Sequence, residues 1–325
     1  MKFITSLAFA FLLTPSVLIA QQDKASQFAE SITADELKEM LTTFSSNEFE
    51  GRNTGEEGQK KAAKYIADFY RDHDIQSPIA KDDFFQEIPT SFYNDSYPPT
   101  ENVLGFIPGK TDEIIVVSAH YDHLGKKNGK IYNGADDDGS GSMALLEIAE
   151  AFKEAADKGY QTKRGVLILH VTAEEKGLIG SDYYTQHPVI PLEQTVTNLN
   201  IDMIGRVDER HQDNPEYIYL IGSDRLSMEL HQLSEKANRQ SVDLDLDYKY
   251  NAKNDPNRFY FRSDHYNFAK NDIPVIFYFN GTHEDYHQPT DTVDKINFDL
   301  LEKRTRLIFH TAWEVANREK KPALD

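Results

Sequence analysis

Ile114-Ile115-Val116-Val117-Ser118-Ala119-His120-Tyr121-Asp122 is a strand that runs straight into chemistry. Its apolar run, Ile114–Ala119, is short and nearly continuous, as in a strand covered on both faces. A histidine and an aspartate follow, and period-two alternation puts both side chains on one side if the strand continues. The same design recurs downstream. Gly165–Val171 leads into Glu174 and Glu175, Val196–Ile201 into Asp202, and Ile273–Phe279 precedes the polar loop that carries His287. Helical periodicity fills the intervals. Met143–Ala156 places Leu145, Ile148, Ala149 and Phe152 on one face, and Gly177–Gln186, Arg225–Asn238 and Phe298–Asn317 read as further helices. Tyr217–Ile221 and Val242–Asp247 add strands. Alternation of this kind predicts an α/β fold whose mostly parallel sheet is covered on both faces, with ligands held in loops past the carboxyl ends of the strands.

Upstream of this core, residues 32–44 and 56–75 read as helices, and the aromatic, proline-rich stretch 84–100 as loop plus one edge strand. At the start of the chain, Lys2 precedes an apolar stretch from Phe3 to Ala20, interrupted by Thr14, Pro15 and Ser16. That is the form of a secretory signal with cleavage after Ala20, since a spanning helix needs roughly 20 mostly apolar residues. The expected organisation is a signal peptide at 1–20, a helical N-terminal extension at 21–100 packed on the catalytic domain, and a catalytic domain at 101–325. The mature protein is expected to be secreted or periplasmic in a bacterium and free of the membrane. The chain has 325 residues and no cysteine, so it forms no disulfide. Its 54 acidic and 35 basic side chains give a net charge of −19, which repels phosphate backbones and argues against nucleic-acid partners.

Five acidic-or-histidine clusters stand at or beyond strand ends: His120/Asp122, Asp136–Asp138, Glu174/Glu175, Asp202 and His287. Carboxylates and imidazoles are the ligands that zinc takes where no thiolate is present. Three adjacent carboxylates between glycines repel one another unless a cation or a helix N-terminus offsets them. A pair of glutamates can divide its work, one binding metal and the other serving as general base. Taken singly, each cluster also reads as a solvated acidic turn, a helix start or an ordinary loop histidine.

Their order is more specific. The sequence resembles the zinc-dependent exopeptidase family of bacterial leucyl-type aminopeptidases, related to glutaminyl cyclase and glutamate carboxypeptidase II. The segments that carry the likeness are AHYDHLG at 119–125, NGADDDGSG at 133–141, TAEEKGLIGS at 172–181, NIDMIGR at 200–206, RSDHYNF at 262–268 and HEDYHQPTDT at 283–292, with EGRNTGEEGQKKAAKYI at 50–66 similar to secreted members. The resemblance implies a three-layer sandwich with a mixed, mostly parallel central sheet flanked by helices. It implies two Zn2+ ions bridged by Asp137, one completed by His120 and Asp202 and the other by Glu175 and His287. Glu174 would be the general base, Asp122 the partner that orients His120, and Tyr260 an aid to the tetrahedral intermediate. His123, His265 and His283 lie inside the motifs without a ligand role. Peptides hydrolysed from the N-terminus are the implied substrates. A glutaminyl cyclase with a single zinc, or a non-catalytic binding domain on the same scaffold, are the alternatives, and the complete five-ligand set favours the two-zinc hydrolase.

Overall fold

The strands named above lie next to one another in the middle of the molecule, in a computed structural model that describes residues 24–325. The signal segment expected at 1–20 lies outside the described residues. In chain order the strands are β1 (Phe85–Ile88), β2 (Thr100–Ile107), β3 (Ile114–His120), β4 (Gly125–Lys127), β5 (Lys130–Tyr132), β6 (Gly165–Val171), β7 (Thr195–Ile201), β8 (Tyr217–Ile221), β9 (Asp245–Asp247) and β10 (Val275–Phe279). Eight of them form one sheet in the order β1-β2-β6-β3-β7-β10-β8-β9, and β4 and β5 form a separate hairpin. β6, β3, β7 and β10 run parallel in its centre. β1 and β2 add antiparallel strands on one side, and β8 pairs antiparallel with β10 on the other.

Alternation within the central strands builds three layers. Ile115, Val117 and Ala119 of β3 join one apolar cluster, with Val166 and Ile168 of β6. Ile114 and Val116, with Leu167, Leu169 and Val171, join the cluster on the other face. Full burial of each such side chain is worth about 1.5–3 kcal/mol, so both faces must be covered. The first face is covered by α1 (Ala34–Phe44), α2 (Glu57–Asp72), α3 (Gly141–Asp157), α5 (Met228–Gln240) and α7 (Phe298–Asn317). The second is covered by α4 (Ile179–Gln186), α6 (His265–Ala269) and the aromatic loop around Phe259. Thr33 and Asn297 cap α1 and α7 by accepting the backbone N–H of Glu36 and Leu300. Among the described residues, no helix is long and apolar enough to cross a membrane.

The mixed, mostly parallel sheet between helical layers is the fold the sequence predicts. Among the strands, β2 and the β4–β5 hairpin escape that reading. β2 does so because Glu101, Asn102 and Gly105 break its apolar alternation, and the β4–β5 hairpin because it is polar and short. The hairpin had a usable signal, the Asn128-Gly129 turn with φ of 54° and 72°, the pair that a two-residue turn of this hand favours. β1 pairs with β2 and sits at the sheet edge, as the edge strand expected within 84–100. From β3 the chain crosses to β6 on one side and then to β7 on the other. That reversal opens a crevice at the carboxyl ends of the strands.

Candidate metal centre

Four of these carboxyl ends, side by side, deliver the site residues. His120 is the last residue of β3, Asp202 follows β7 directly, and the loops after β6 and β10 carry Glu174, Glu175 and His287. His120 Nε2 lies 3.3 Å from Asp137 Oδ1 and 3.6 Å from Asp202 Oδ1. His287 Nε2 lies 3.1 Å from Asp137 Oδ2 and 3.3 Å from Glu175 Oε1. Asp137 therefore turns one oxygen to each side, as a bridging ligand must. Ala173, Met203 and His287 are held in the left-handed region at φ of 55°, 62° and 58°. Non-glycine residues persist there only where surrounding structure enforces it, and these three flank Glu174, flank Asp202 or belong to the site.

The acidic triplet is divided by its hydrogen bonds. Asp136 Oδ1 accepts the Gly205 N–H at 2.7 Å and the Ser140 hydroxyl at 3.0 Å, while Oδ2 faces His283 Nε2 at 3.1 Å. Asp138 Oδ1 accepts the N–H groups of Gly141 and Met203 at 3.0 Å, and its Oδ2 that of His120 at 3.2 Å. Asp138 is close enough to His120 and Asp202 to share a cation with them, but its oxygens are already committed to the backbone. Asp137 Oδ2 has no hydrogen-bond partner. Two residues that do not stand out in the sequence hold this loop. The Asp291 carboxylate accepts the N–H groups of Asp136 and Asp137 at 3.1 Å. The fully buried Arg52 donates to the carbonyls of Tyr121, Asn133 and Gly134 at 2.9, 2.7 and 2.8 Å. Only their places inside the EGR and HQPTDT segments could have marked them.

The geometry shows how Asp122 meets His120. His120 Nδ1 lies 3.0 Å from the Asp122 backbone oxygen, whereas the carboxylate stands 3.9 Å away. β3 ends at His120, so strand alternation does not carry Asp122 onto the expected side. A proton on Nδ1 for that carbonyl leaves the Nε2 lone pair facing Asp137 and Asp202. The Asp122 carboxylate instead accepts the Thr54 hydroxyl at 2.9 Å and the Glu174 N–H at 3.1 Å, and so anchors the loop of the expected base.

His123, without a role in the sequence reading, faces the site. Its Nδ1 lies 3.0 Å from Glu175 Oε1 and 3.7 Å from Asp137 Oδ2, and the three form a group able to hold a cation. Neither ring nitrogen of His123 has a hydrogen-bond partner, nor has Asp137 Oδ2 or Glu175 Oε1. Each buried polar atom left unpaired costs about 1–3 kcal/mol. Several converging on one point are what a cation would satisfy, so the residues fit a metal. His265 is different. It stacks on Phe277, and burial lowers its pKa to about 3.

Burial opposes charge at this site, yet for His287 and Glu175 the opposite charges beside them outweigh it. It pulls the His287 pKa down, but Asp137 and Glu175 outweigh it and raise the value to about 10. Burial and Asp137 push Glu175 up, but His123 and His287 hold it at about 2. Glu174 goes the other way. Burial raises its pKa well above the carboxylate range, supported by Asp202, Asp264 and Glu175 and opposed by His120. A carboxyl poised in this way suits proton transfer.

A cleft of about 420 Å³ opens over Asp137, Glu174, Glu175 and Asp202, with aromatic walls from Phe259, Phe261, Phe277, Phe279 and Tyr286. Tyr260, expected at the intermediate, is not among the residues that line this cleft. Its ring lies under the Arg225 guanidinium, 3.7 Å from the ring centre, and against Gly222. Consecutive residues of the turn Phe259–Phe261 point in different directions, and sequence alone does not say which points inward. Tyr286 is the tyrosine that borders the cleft. It stacks on His287 with ring centres 3.9 Å apart, and its hydroxyl accepts from Arg262 at 3.3 Å.

Known proteins resemble this chain in sequence and in fold. The chain is 26% identical over 311 residues to the probable leucine aminopeptidase of Trichophyton verrucosum, covering 92% of this chain and 78% of that one. It is 26% identical over 233 residues to Aminopeptidase YwaD of Bacillus subtilis, covering 69% of this chain but only 46% of the relative. Among solved structures, the Legionella pneumophila LapA aminopeptidase superposes with a TM-score of 0.73 at 20% identity, over 97% of this chain and 79% of that one. The Porphyromonas gingivalis glutaminyl cyclase does so with 0.66 at 17% identity, over 87% and 98%. At such identities the structural likeness is one of fold. A match to the description of peptidase family M28 runs over residues 102–312, through every strand of the parallel core and every loop that feeds the site, and the chain belongs to that family.

Proposed function

We propose that this protein is a zinc-dependent aminopeptidase that releases N-terminal residues from peptides, with Glu174 as general base. One observation carries the reading: carboxylate oxygens and imidazole nitrogens converge on both sides of Asp137, directly beneath a cleft that Glu174 also lines. His120 and Asp202 would hold one zinc, Glu175 and His287 the other, and Asp137 both. When bound, zinc supplies Lewis acidity, which acidifies water and polarises a peptide carbonyl. Glu174, its N–H held by Asp122, takes the proton from the attacking water and returns it to the departing amine. The acids facing the cleft attract a free terminal ammonium and repel a terminal carboxylate, which favours attack at the N-terminal end. The aromatic walls suit an apolar first side chain. The aminopeptidases among the relatives support the same reading.

Replacing Glu174 by Gln should leave bound zinc unchanged and lower hydrolysis of aminoacyl reporters by about 10²–10⁴-fold. Full activity in a zinc-loaded E174Q protein would sink the assignment. The second reading, a glutaminyl cyclase, draws on the Porphyromonas likeness. Cyclisation of glutaminyl reporters without peptide hydrolysis would establish it. The donors present on both sides of Asp137 favour two ions and hydrolysis. The charged-then-apolar start at Lys2–Ala20 supports export with cleavage after Ala20. N-terminal sequencing of the protein recovered from cells tests this, and a mature chain beginning at Met1 would refute it.

A further inference from the structure

The two sides of Asp137 are not equivalent, and the difference is His123. We propose that His123 is a fourth protein ligand at the position shared by Asp137, Glu175 and His287, so that this position is closed by protein while the His120/Asp202 position stays open. The proposal rests on the metal centre described above and concerns how that centre is built.

Four observations carry it. First, the atoms are correctly spaced. Around the point where they converge, His123 Nδ1, His287 Nε2, Glu175 Oε1 and Asp137 Oδ2 are separated by 3.0, 3.1, 3.3 and 3.7 Å along the four contacts between an imidazole and a carboxylate. Ligands about 2.0–2.1 Å from a tetrahedral zinc stand about 3.3 Å from one another. Second, the two rings approach from different directions, with centres 5.9 Å apart and planes at 64°. Third, His123 is fully buried with both ring nitrogens unpaired. A core histidine kept for packing looks different. His170, equally buried, meets the Tyr70 hydroxyl through Nδ1 and the Ser142 carbonyl through Nε2, both at 2.9 Å. Fourth, the surrounding loops are shaped around the ring. The His123 N–H is fixed on the Arg52 carbonyl at 3.1 Å. Gly134 has a φ of 54°, and a Cβ there would lie 2.5 Å from the imidazole.

On the other side His120 Nε2, Asp137 Oδ1 and Asp202 Oδ1 converge, and Asp138, though near His120 and Asp202, has both oxygens hydrogen-bonded to backbone N–H groups. Four protein donors characterise a retained, structural zinc, and three with a free position a catalytic one. The ion at the His120 side should therefore leave first under chelation, and the last zinc held should be bound by two imidazoles. Without His123 each position has one histidine.

The test uses the zinc-loaded wild-type protein, dialysed against graded dipicolinate until one zinc per chain remains. X-ray absorption at the zinc edge then counts imidazoles. Two support the proposal, and one overturns it. A protein that binds no zinc before dialysis refutes the metal centre itself and not merely this ligand. As a second arm, His123→Ala should lose its last zinc at least about tenfold more readily than wild type. His123→Cys loaded with cobalt should show a thiolate-to-cobalt charge-transfer band. Unchanged zinc retention in folded H123A, or no such band in folded H123C, counts against the assignment.

Discussion

Two buried clusters in this protein are made of the same residue types and do different things. Besides the candidate metal centre there is a second group, in which Asp208 Oδ1 accepts the His211 Nδ1–H at 2.7 Å and the His211 backbone N–H at 3.1 Å. Asp208 Oδ2 accepts the Tyr219 hydroxyl at 2.7 Å, and the Asp208 N–H donates to the Tyr217 hydroxyl at 2.8 Å. His211 stacks on Tyr217 with ring centres 3.5 Å apart. None of these four side chains keeps a buried polar atom without a hydrogen bond, whereas His123, Asp137 and Glu175 do. Aspartate beside histidine therefore does not make a metal site. Donors that converge and are not already spent do.

Breaking the contrast from the metal side should have the largest effect. Asp137→Ala removes the oxygen that each side needs, so zinc content measured by mass spectrometry should fall on both sides and peptidase activity by at least about a thousandfold. An active, two-zinc D137A protein would mean that Asp137 bridges nothing. From the other side, Asp208→Ala strands the His211 and Tyr219 donors and should lower stability by about 1–3 kcal/mol. Zinc content and kcat in D208A should stay at wild-type values, and a drop in either would show that the saturated cluster serves the site after all.

A third acid sharpens the point with a smaller effect. Glu147 is buried in α3, accepting the Thr33 N–H at 3.2 Å, and its pKa is raised to about 8 by burial and then by Glu36. A carboxyl whose folded pKa exceeds its unfolded value favours folding below the ordinary range and loses that contribution as pH rises to about 8. Glu147→Gln should thus match wild type in melting temperature near pH 4 and exceed it by a few degrees near pH 8. An equal melting temperature at both values would show that Glu147 ionises without cost.

Much of this was legible in the chain. The apolar runs before His120, Glu174, Asp202 and His287 marked the strands because a doubly covered strand has no alternation to hide it. The order of acidic and histidine motifs identified the family, whose description matches residues 102–312. β2 was lost because its polar interruptions resemble loop, and the divided work of Asp136, Asp137 and Asp138 came from the resemblance and not from the residues. The structure supplies its cause. Asp136 and Asp138 are consumed by Gly205, Met203 and their neighbours, far along the chain, and Asp137 alone is left.

Sequence by itself thus determined the inventory at the centre of the sheet: which central strands exist, in what order they end, and which acids and histidines their ends deliver. Only the tertiary structure decided the assignments within it. It brought His120 Nδ1 closer to the carbonyl of Asp122 than to its carboxylate, put Tyr286 in the lining of the cleft, and aimed His123 at Glu175. The physical reason is common to all three. Whether a donor is free for a ligand depends on the partners it meets across the fold, and those partners lie in segments that local periodicity does not connect.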